Sequence, residues 1–278
     1  MVSQAQTRLN MILLSLIFGL FVGMILGLLG SGGAIISIPI LIYGLGFSIK
    51  EAVPISLMAI SLSSVVGSSI AFKQGHIRYK AAILIAITGS LLAPLGIFLG
   101  HILPENPIKA LFGLTLLYIA FKNIFSKKLH ENQRNDSNPD TFPCEMNPNT
   151  EKLYWTRKCA ASLMFTGGIT GIMSGLLGVG GGFIIVPSLR KFSNIPLKQI
   201  TSTSVGVIAI ISTVSLILYL LKGDVHLSQG IPFAAGSLIG MLVVKKISQM
   251  INSSLILKVF SILILIVGIA LIFTSLFS

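Results

Sequence analysis

Gly27-Leu-Leu-Gly-Ser-Gly-Gly33, continuing through Ala-Ile-Ile-Ser-Ile to Pro39, recurs as Gly175-Leu-Leu-Gly-Val-Gly-Gly181, continuing through Gly-Phe-Ile-Ile-Val to Pro187. Eight of the 13 positions are identical, and both copies sit inside apolar sequence. Each reads as a glycine-rich break between two membrane helices.

The surrounding composition requires a membrane. Hydrophobic residues make up 53% of the chain and charged residues 10%, with mean hydropathy +0.92, whereas a soluble domain carries about 25% charge. Apolar stretches run at 11–29, 33–45, 52–72, 81–100, 107–125, 159–177, 182–189, 199–221, 230–244 and 255–276. Several exceed the roughly 18 residues needed to span a bilayer. Residues 34–45 make a helix of only about 18 Å against a hydrocarbon core of about 30 Å, so this segment and its counterpart after Gly181 read as half-helices. The N-terminal run has no small-residue cleavage site and reads as a retained first helix.

The net charge of +12 does not point to nucleic acid, because Lys and Arg are scattered over loops rather than gathered in a stripe. Cys144 and Cys159, the only cysteines, fit neither a disulfide framework nor a zinc site and are expected to be plain thiols.

At an offset of 148, residues 19–77 overlie 167–225 without a gap, pairing Gly19, Gly23 and Gly27 with Gly167, Gly171 and Gly175. Ser56 falls on Ser204, Ser64 on Ser212 and Gly75 on Gly223. The expected fold is an all-α polytopic membrane protein with two homologous helical repeats, residues 1–125 and 158–278. Residues 126–157, polar and without apolar periodicity, read as a disordered linker.

Loop charges orient the copies, since cytoplasmic loops collect Lys and Arg. Going along the first copy, loops carry Lys50 alone, then Lys73, Arg78 and Lys80, then Lys109 alone, then the basic edges of the linker. In the second they carry Arg190, Lys191 and Lys198, then Lys222 alone, then Lys245, Lys246 and Lys258. Rich and poor loops alternate in opposite order, as expected for inverted repeats. The linker is then cytoplasmic, both termini are outside, and each glycine break heads a hairpin. Eight ordinary crossings in parallel copies is the competing arrangement.

Gly19, Gly23 and Gly27, and their counterparts, form a helical face suited to close packing. Gly30, Gly32 and Gly33, with Gly178, Gly180, Gly181 and Gly182, are dense enough to unwind the chain and expose N–H groups at the start of each half-helix. Such a terminus attracts anions; the competing reading is architecture alone. Pro39 and Pro187 stand where they can kink the half-helices. No Asp, Glu, Lys or Arg lies deep in a span except Lys258, near enough to an end to snorkel. Interior polarity is hydroxyl: Ser56, Ser61, Ser63 and Ser64, then Thr201, Ser202, Thr203, Ser204 and Ser212. These either meet a ligand or bond to their own helix carbonyls. Ser56 and Ser204 are the preferred ligand contacts. His76, opposite Asp224 in the second copy, and His101 read as interfacial.

The glycine clusters match neither a dinucleotide fingerprint nor a P-loop. Neither a paired acid, nor a Cys-His pair in one span, nor a metal-spaced His cluster is present, so an enzyme, a cofactor and a metal centre are not expected.

The duplicated G-x-x-G-x-G-G-x-x-x-x-x-P element, the helix start at Ser56 and Thr203-Ser204, and the Gly75 and Gly223 helix ends resemble the TauE/SafE family, also known as DUF81. This resemblance implies a multi-pass permease of a bacterial or archaeal inner membrane that moves small sulfur-containing anions such as sulfite, thiosulfate or organosulfonates. The substrate-binding set expected on that basis is Gly30, Ser31, Gly32, Gly33, Ser56, Gly178, Gly180, Gly181, Gly182, Thr203 and Ser204. Ser31 and Ala34 depart from Val179 and Gly182 of the second copy, so the halves need not contact substrate equally. An anion leaving a negative interior gains about 2.3 kcal/mol per charge per 100 mV, which favours export; uptake would need a coupling proton or cation. A permease for another anion or a metal ion, or a non-transporting membrane scaffold docking through the linker, are the alternatives.

Overall fold

The computed structural model describes residues 2–75, 77–125, 143–144, 156–223, 225, 227–247 and 253–277. Its main helices are α1 (Val2–Leu29), α2 (Ile49–Lys73), α3 (Tyr79–Ile102), α4 (Glu105–Phe125), α5 (Arg157–Leu177), α6 (Gly182–Phe192), α7 (Leu197–Lys222), α8 (Leu227–Ile247) and α9 (Ser253–Phe277). Among the described residues, six helices are long and apolar enough to cross a membrane. Large apolar side chains such as Leu91, Phe98, Phe165 and Ile266 point outward, while Ser37, Ser56, Ser63, Thr170 and Ser174 are buried. An outer surface of hydrocarbon around an interior of small polar groups is what lipid selects.

Helix ends follow local chemistry. Ser48 caps α2 in a capping box: Glu51 N–H donates to Ser48 Oγ at 3.3 Å, and Ser48 N–H donates to Glu51 Oε2 at 3.0 Å. Thr156 caps α5 by accepting from Cys159 N–H at 3.0 Å. Gly223, at φ +79°, ends α7 in the left-handed conformation that suits glycine.

The glycine faces set the helix pairs. α1 packs along α8, α3 along α5, α2 on α7 and α4 on α9. A Cβ at Gly19 or Gly23 would overlap the carbonyls of Phe233 or Ser237 on α8; one at Gly171 or Gly175 would overlap those of Gly89 or Ala93 on α3. At Gly167 it would lie 2.5 Å from Ile85 O. Ile85 and Gly89 stand at the same 148-residue offset from Phe233 and Ser237, so the α1–α8 and α5–α3 contacts recur position by position.

Two expectations are corrected, and a third gains detail. The first glycine cluster does not unwind. Gly30–Ile36 continues as a 3-10 turn, and Gly33 is not among the glycines at positive φ. The half-helix after Gly33 is present as a short apolar helix over Gly33–Gly44, and it is irregular at its proline: an α turn at Ser37–Pro39 passes into a π turn at Ile40–Gly44. Pro39 supplies the reason, since it has no N–H to give the preceding turn. Cys144 and Cys159 are not free thiols but a disulfide with Cα atoms 4.9 Å apart, within the range a bridge requires. Cys144 is brought there by its own backbone, whose N–H donates to Phe192 O at 2.9 Å and which forms a bridge with Ser193. One residue thus touches the start of α5 and the end of α6, so that helix pair leaves and returns to one face. Residues 126–142 and 145–155 of the linker, His76 and Asp224 lie outside the described residues.

Candidate functional site

The two breaks behave differently. Between α5 and α6 the chain unwinds over Gly178, Gly180 and Gly181, all with positive φ. Each is also confined. A Cβ at Gly178 would lie 2.8 Å from Val53 O, one at Gly180 would lie 2.9 Å from Ile208 Cγ2 and 3.1 Å from Ile60 Cγ2, and one at Gly181 would overlap Thr170 Cγ2. Ile60 and Ile208 are partners under the 148-residue offset, and both meet Gly180 where α2 crosses α7. In the first break the constraint is different: Gly33 lets the 3-10 turn lie on α1, where a Cβ would sit 2.5 Å from Leu26 Cα.

Ser56 joins the two breaks. Its hydroxyl donates to Gly178 O at 2.8 Å and also contacts Ser37 Oγ, which in turn reaches Ala34 O at 2.7 Å. All three side-chain and carbonyl links lie in the buried interior, and the 30–36 turn packs against α6 and α7. Two hydroxyls hold only two protons for three contacts, so the chain can donate to Gly178 or to Ala34 but not to both while Ser37 and Ser56 are bonded.

The other expected residues divide. Gly182 is buried as the first residue of α6, whose N-cap is Gly181; Gly181 O accepts from Ile184 N–H at 3.0 Å and Ile185 N–H at 3.3 Å. Ser204 donates to its own helix at Ile200 O, 2.8 Å away. Thr203 Oγ1 accepts from Arg78 N–H at 3.1 Å, and Arg78 Nε donates to Gln199 Oε1 at 3.0 Å, tying the α2–α3 connection to the start of α7. Gly30, Ser31 and Gly32 are in the 3-10 turn. The structure therefore brings together Ser56, Gly178, Gly180, Gly181 and Gly182, with Ser204 and Thr203 occupied in packing.

At the opposite end from Arg78, a vestibule of about 340 Å³ is lined by Lys50, Glu51, Val53, His101, Leu176 and Tyr219 among others, within the usual range for small-ligand sites. Lys50 Nζ donates to His101 O at 3.3 Å, and the His101 and Tyr219 rings are 6.0 Å apart. Of its lining residues, Val53 packs against Gly178, and Tyr219 OH donates to Gly175 O at 3.1 Å. Through these residues the vestibule adjoins the second glycine break.

Sequence reasoning missed Ser37, Thr170 and Ser174. Ser37 falls opposite Ile185, Thr170 opposite Val22 and Ser174 opposite Leu26. Those mismatches between otherwise similar copies were the available signal.

Comparisons with known proteins agree with this architecture. The profile of the family described as Sulfite exporter TauE/SafE matches residues 15–271. A protein of Xylella fastidiosa named "Probable membrane transporter protein" is 25% identical over 262 residues, covering 92% of this chain and 93% of that one. One of Methanocaldococcus jannaschii with the same description is 28% identical over 254 residues, covering 84% and 87%. "Probable membrane transporter protein YunE" of Bacillus subtilis is 20% identical over 270 residues, covering 94% and 97%. No solved structure matches the chain.

Proposed function

This chain belongs to the TauE/SafE family and is a multi-pass membrane permease, and we propose that its cargo is a small sulfur-containing anion, such as sulfite, thiosulfate or an organosulfonate, carried outward across a bacterial or archaeal inner membrane. The observation that carries this reading is the second glycine break, buried at the α2–α7 crossing, where α6 begins with N–H groups that have no side-chain cap. A helix N-terminus there favours negative charge without a fixed cation that would hold the cargo too tightly to release.

The halves act as inverted repeats of residues 1–125 and 158–278. Support comes from the recurrence of the α1–α8 and α5–α3 contacts at one offset and from the meeting of Ile60 and Ile208 at Gly180. Alternating access then consists of one half rocking on the other about the α2–α7 crossing, with the vestibule at Lys50 and His101 as one mouth and the Arg78–Gln199 and Arg78–Thr203 contacts closing the other. Loop charge puts the Arg78 face and the linker in the cytoplasm. The test is flux in proteoliposomes with sulfite, thiosulfate, sulfoacetate, taurine and sulfate as cargo. Uptake of at least one sulfur anion, accelerated when the loaded side is made negative, supports the proposal; no movement of any of them overturns the substrate class.

A further inference from the structure

Many interior hydroxyls among the described residues satisfy themselves on their own helix. Thr166 donates to Ser162 O at 2.8 Å, Ser204 to Ile200 O at 2.8 Å, Thr213 to Ala209 O at 2.6 Å and Thr88 to Leu84 O at 2.9 Å. Thr170 and Ser174 do not. Both are fully buried, and neither hydroxyl oxygen has a partner. An unmet buried hydroxyl costs about 1–3 kcal/mol, so two of them one turn apart need a reason. Ser15, Ser90 and Ser215 also lack partners, but each stands alone on its helix.

The reason lies beside them. Thr170 packs directly on Gly181, and Ser174 O receives Gly178 N–H at 2.9 Å, so both residues flank the unwound loop. Gly181 has no side chain to cap α6, and its carbonyl takes the N–H groups of Ile184 and Ile185. The N–H groups of Gly182 and Phe183 are the first-turn donors that a helix cannot satisfy from within. In the first half the corresponding positions are Val22 and Leu26, buried hydrocarbon, and the adjoining segment stays helical.

We propose that Thr170 and Ser174 are the hydroxyl half of a one-sided oxyanion subsite, completed by the N–H groups of Gly182 and Phe183, with the first break acting as its fixed wall. Hydroxyls and amides together offer several hydrogen bonds to a tetrahedral or pyramidal oxyanion, and Leu176, two positions after Ser174, lines the vestibule. This subsite rests on the anion-permease reading above.

The experiment compares the unaltered protein with Thr170→Val and Ser174→Ala, using conservative Thr170→Ser and Ser174→Thr variants as rescues. Melting temperature in detergent is read with and without sulfite or thiosulfate, and the apparent KM for the same anions is read in proteoliposomes. Removing an unpartnered hydroxyl leaves the anion-free melting temperature unchanged or raised. The anion-induced rise disappears and the KM increases roughly tenfold, the share of a hydrogen bond to a charged group, while the conservative variants retain both. Wild-type anion response in Thr170→Val and Ser174→Ala overturns the subsite alone. A sharp fall in their anion-free melting temperature also overturns it, because the hydroxyls would then be bonding within the fold. If sulfite and thiosulfate leave the stability of the unaltered protein unchanged and none of the five sulfur compounds of the flux assay moves, the anion reading fails and takes the subsite with it.

Discussion

Gly181→Ala is the substitution whose cost can be worked most directly from the geometry. At φ +68° the new side chain meets the left-handed penalty of about 1–2 kcal/mol. Its Cβ also overlaps Thr170 Cγ2 and lies 2.9 Å from Thr170 O, an overpacking cost of about 1–3 kcal/mol. The expected total is about 2–5 kcal/mol. Gly46→Ala isolates the first contribution, since Gly46 has φ +71° with nothing within 4 Å of the added carbon, and should cost only about 1–2 kcal/mol. Thr170→Ser removes the overlapping methyl group, so adding it to Gly181→Ala should recover much of the steric share. Thermal unfolding in detergent followed by circular dichroism reads the series, at roughly 2–4 °C per kcal/mol for a chain of about 150–250 residues. Equal melting temperatures for Gly181→Ala and Gly46→Ala, or a further loss on adding Thr170→Ser, would refute the close approach of the glycine loop to α5.

Two further substitutions follow from the interior contacts and the disulfide. Ser56→Ala strips Gly178 O of its donor and should destabilise by about 1–3 kcal/mol, whereas Ser37→Ala leaves Ser56 free to donate to Gly178 and should cost less; the reverse order in denaturation would contradict the proton count. Cys144→Ser opens a bridge of sequence separation 15, worth about 3 kcal/mol in the oxidised protein, read as a lower melting temperature that dithiothreitol reproduces in the parent. On the proposed orientation the linker face lies in a reducing cytoplasm, so the buried pair should be trapped as thiols when intact cells are acid-quenched, denatured and alkylated, and should bridge after purification. A bridge already formed in intact cells would place that face outside and reverse the orientation drawn from loop charge.

Long apolar runs and the glycine faces were legible in the sequence because lipid and close helix packing demand them locally: Gly19, Gly23, Gly171 and Gly175 meet backbone as expected. The difference between the two breaks was not, because glycine allows either sign of φ. Gly30 to Gly33 and Gly178 to Gly181 therefore look alike until packing against α1 or against Val53 and Thr170 selects one conformation. The Cys144–Cys159 pairing depends on a linker residue being held at the end of α6, a contact across 48 positions that spacing cannot show. Ser56 was singled out as a ligand contact because it is duplicated and starts a helix, whereas its link to Gly178 depends on a contact across 122 positions that the sequence does not show. For Ser204, its counterpart, the position equivalent to Ser37 is Ile185, which offers no hydroxyl, and Ser204 bonds to its own helix instead.

Amide hydrogen exchange followed by mass spectrometry, with and without saturating sulfite or thiosulfate, reads the two breaks separately in one experiment. Slower exchange in peptides spanning 178–184, with no change across 30–36, is the result predicted for an anion held at the start of α6. No protection at 178–184, or equal protection at both breaks, would contradict a site built on the second hairpin.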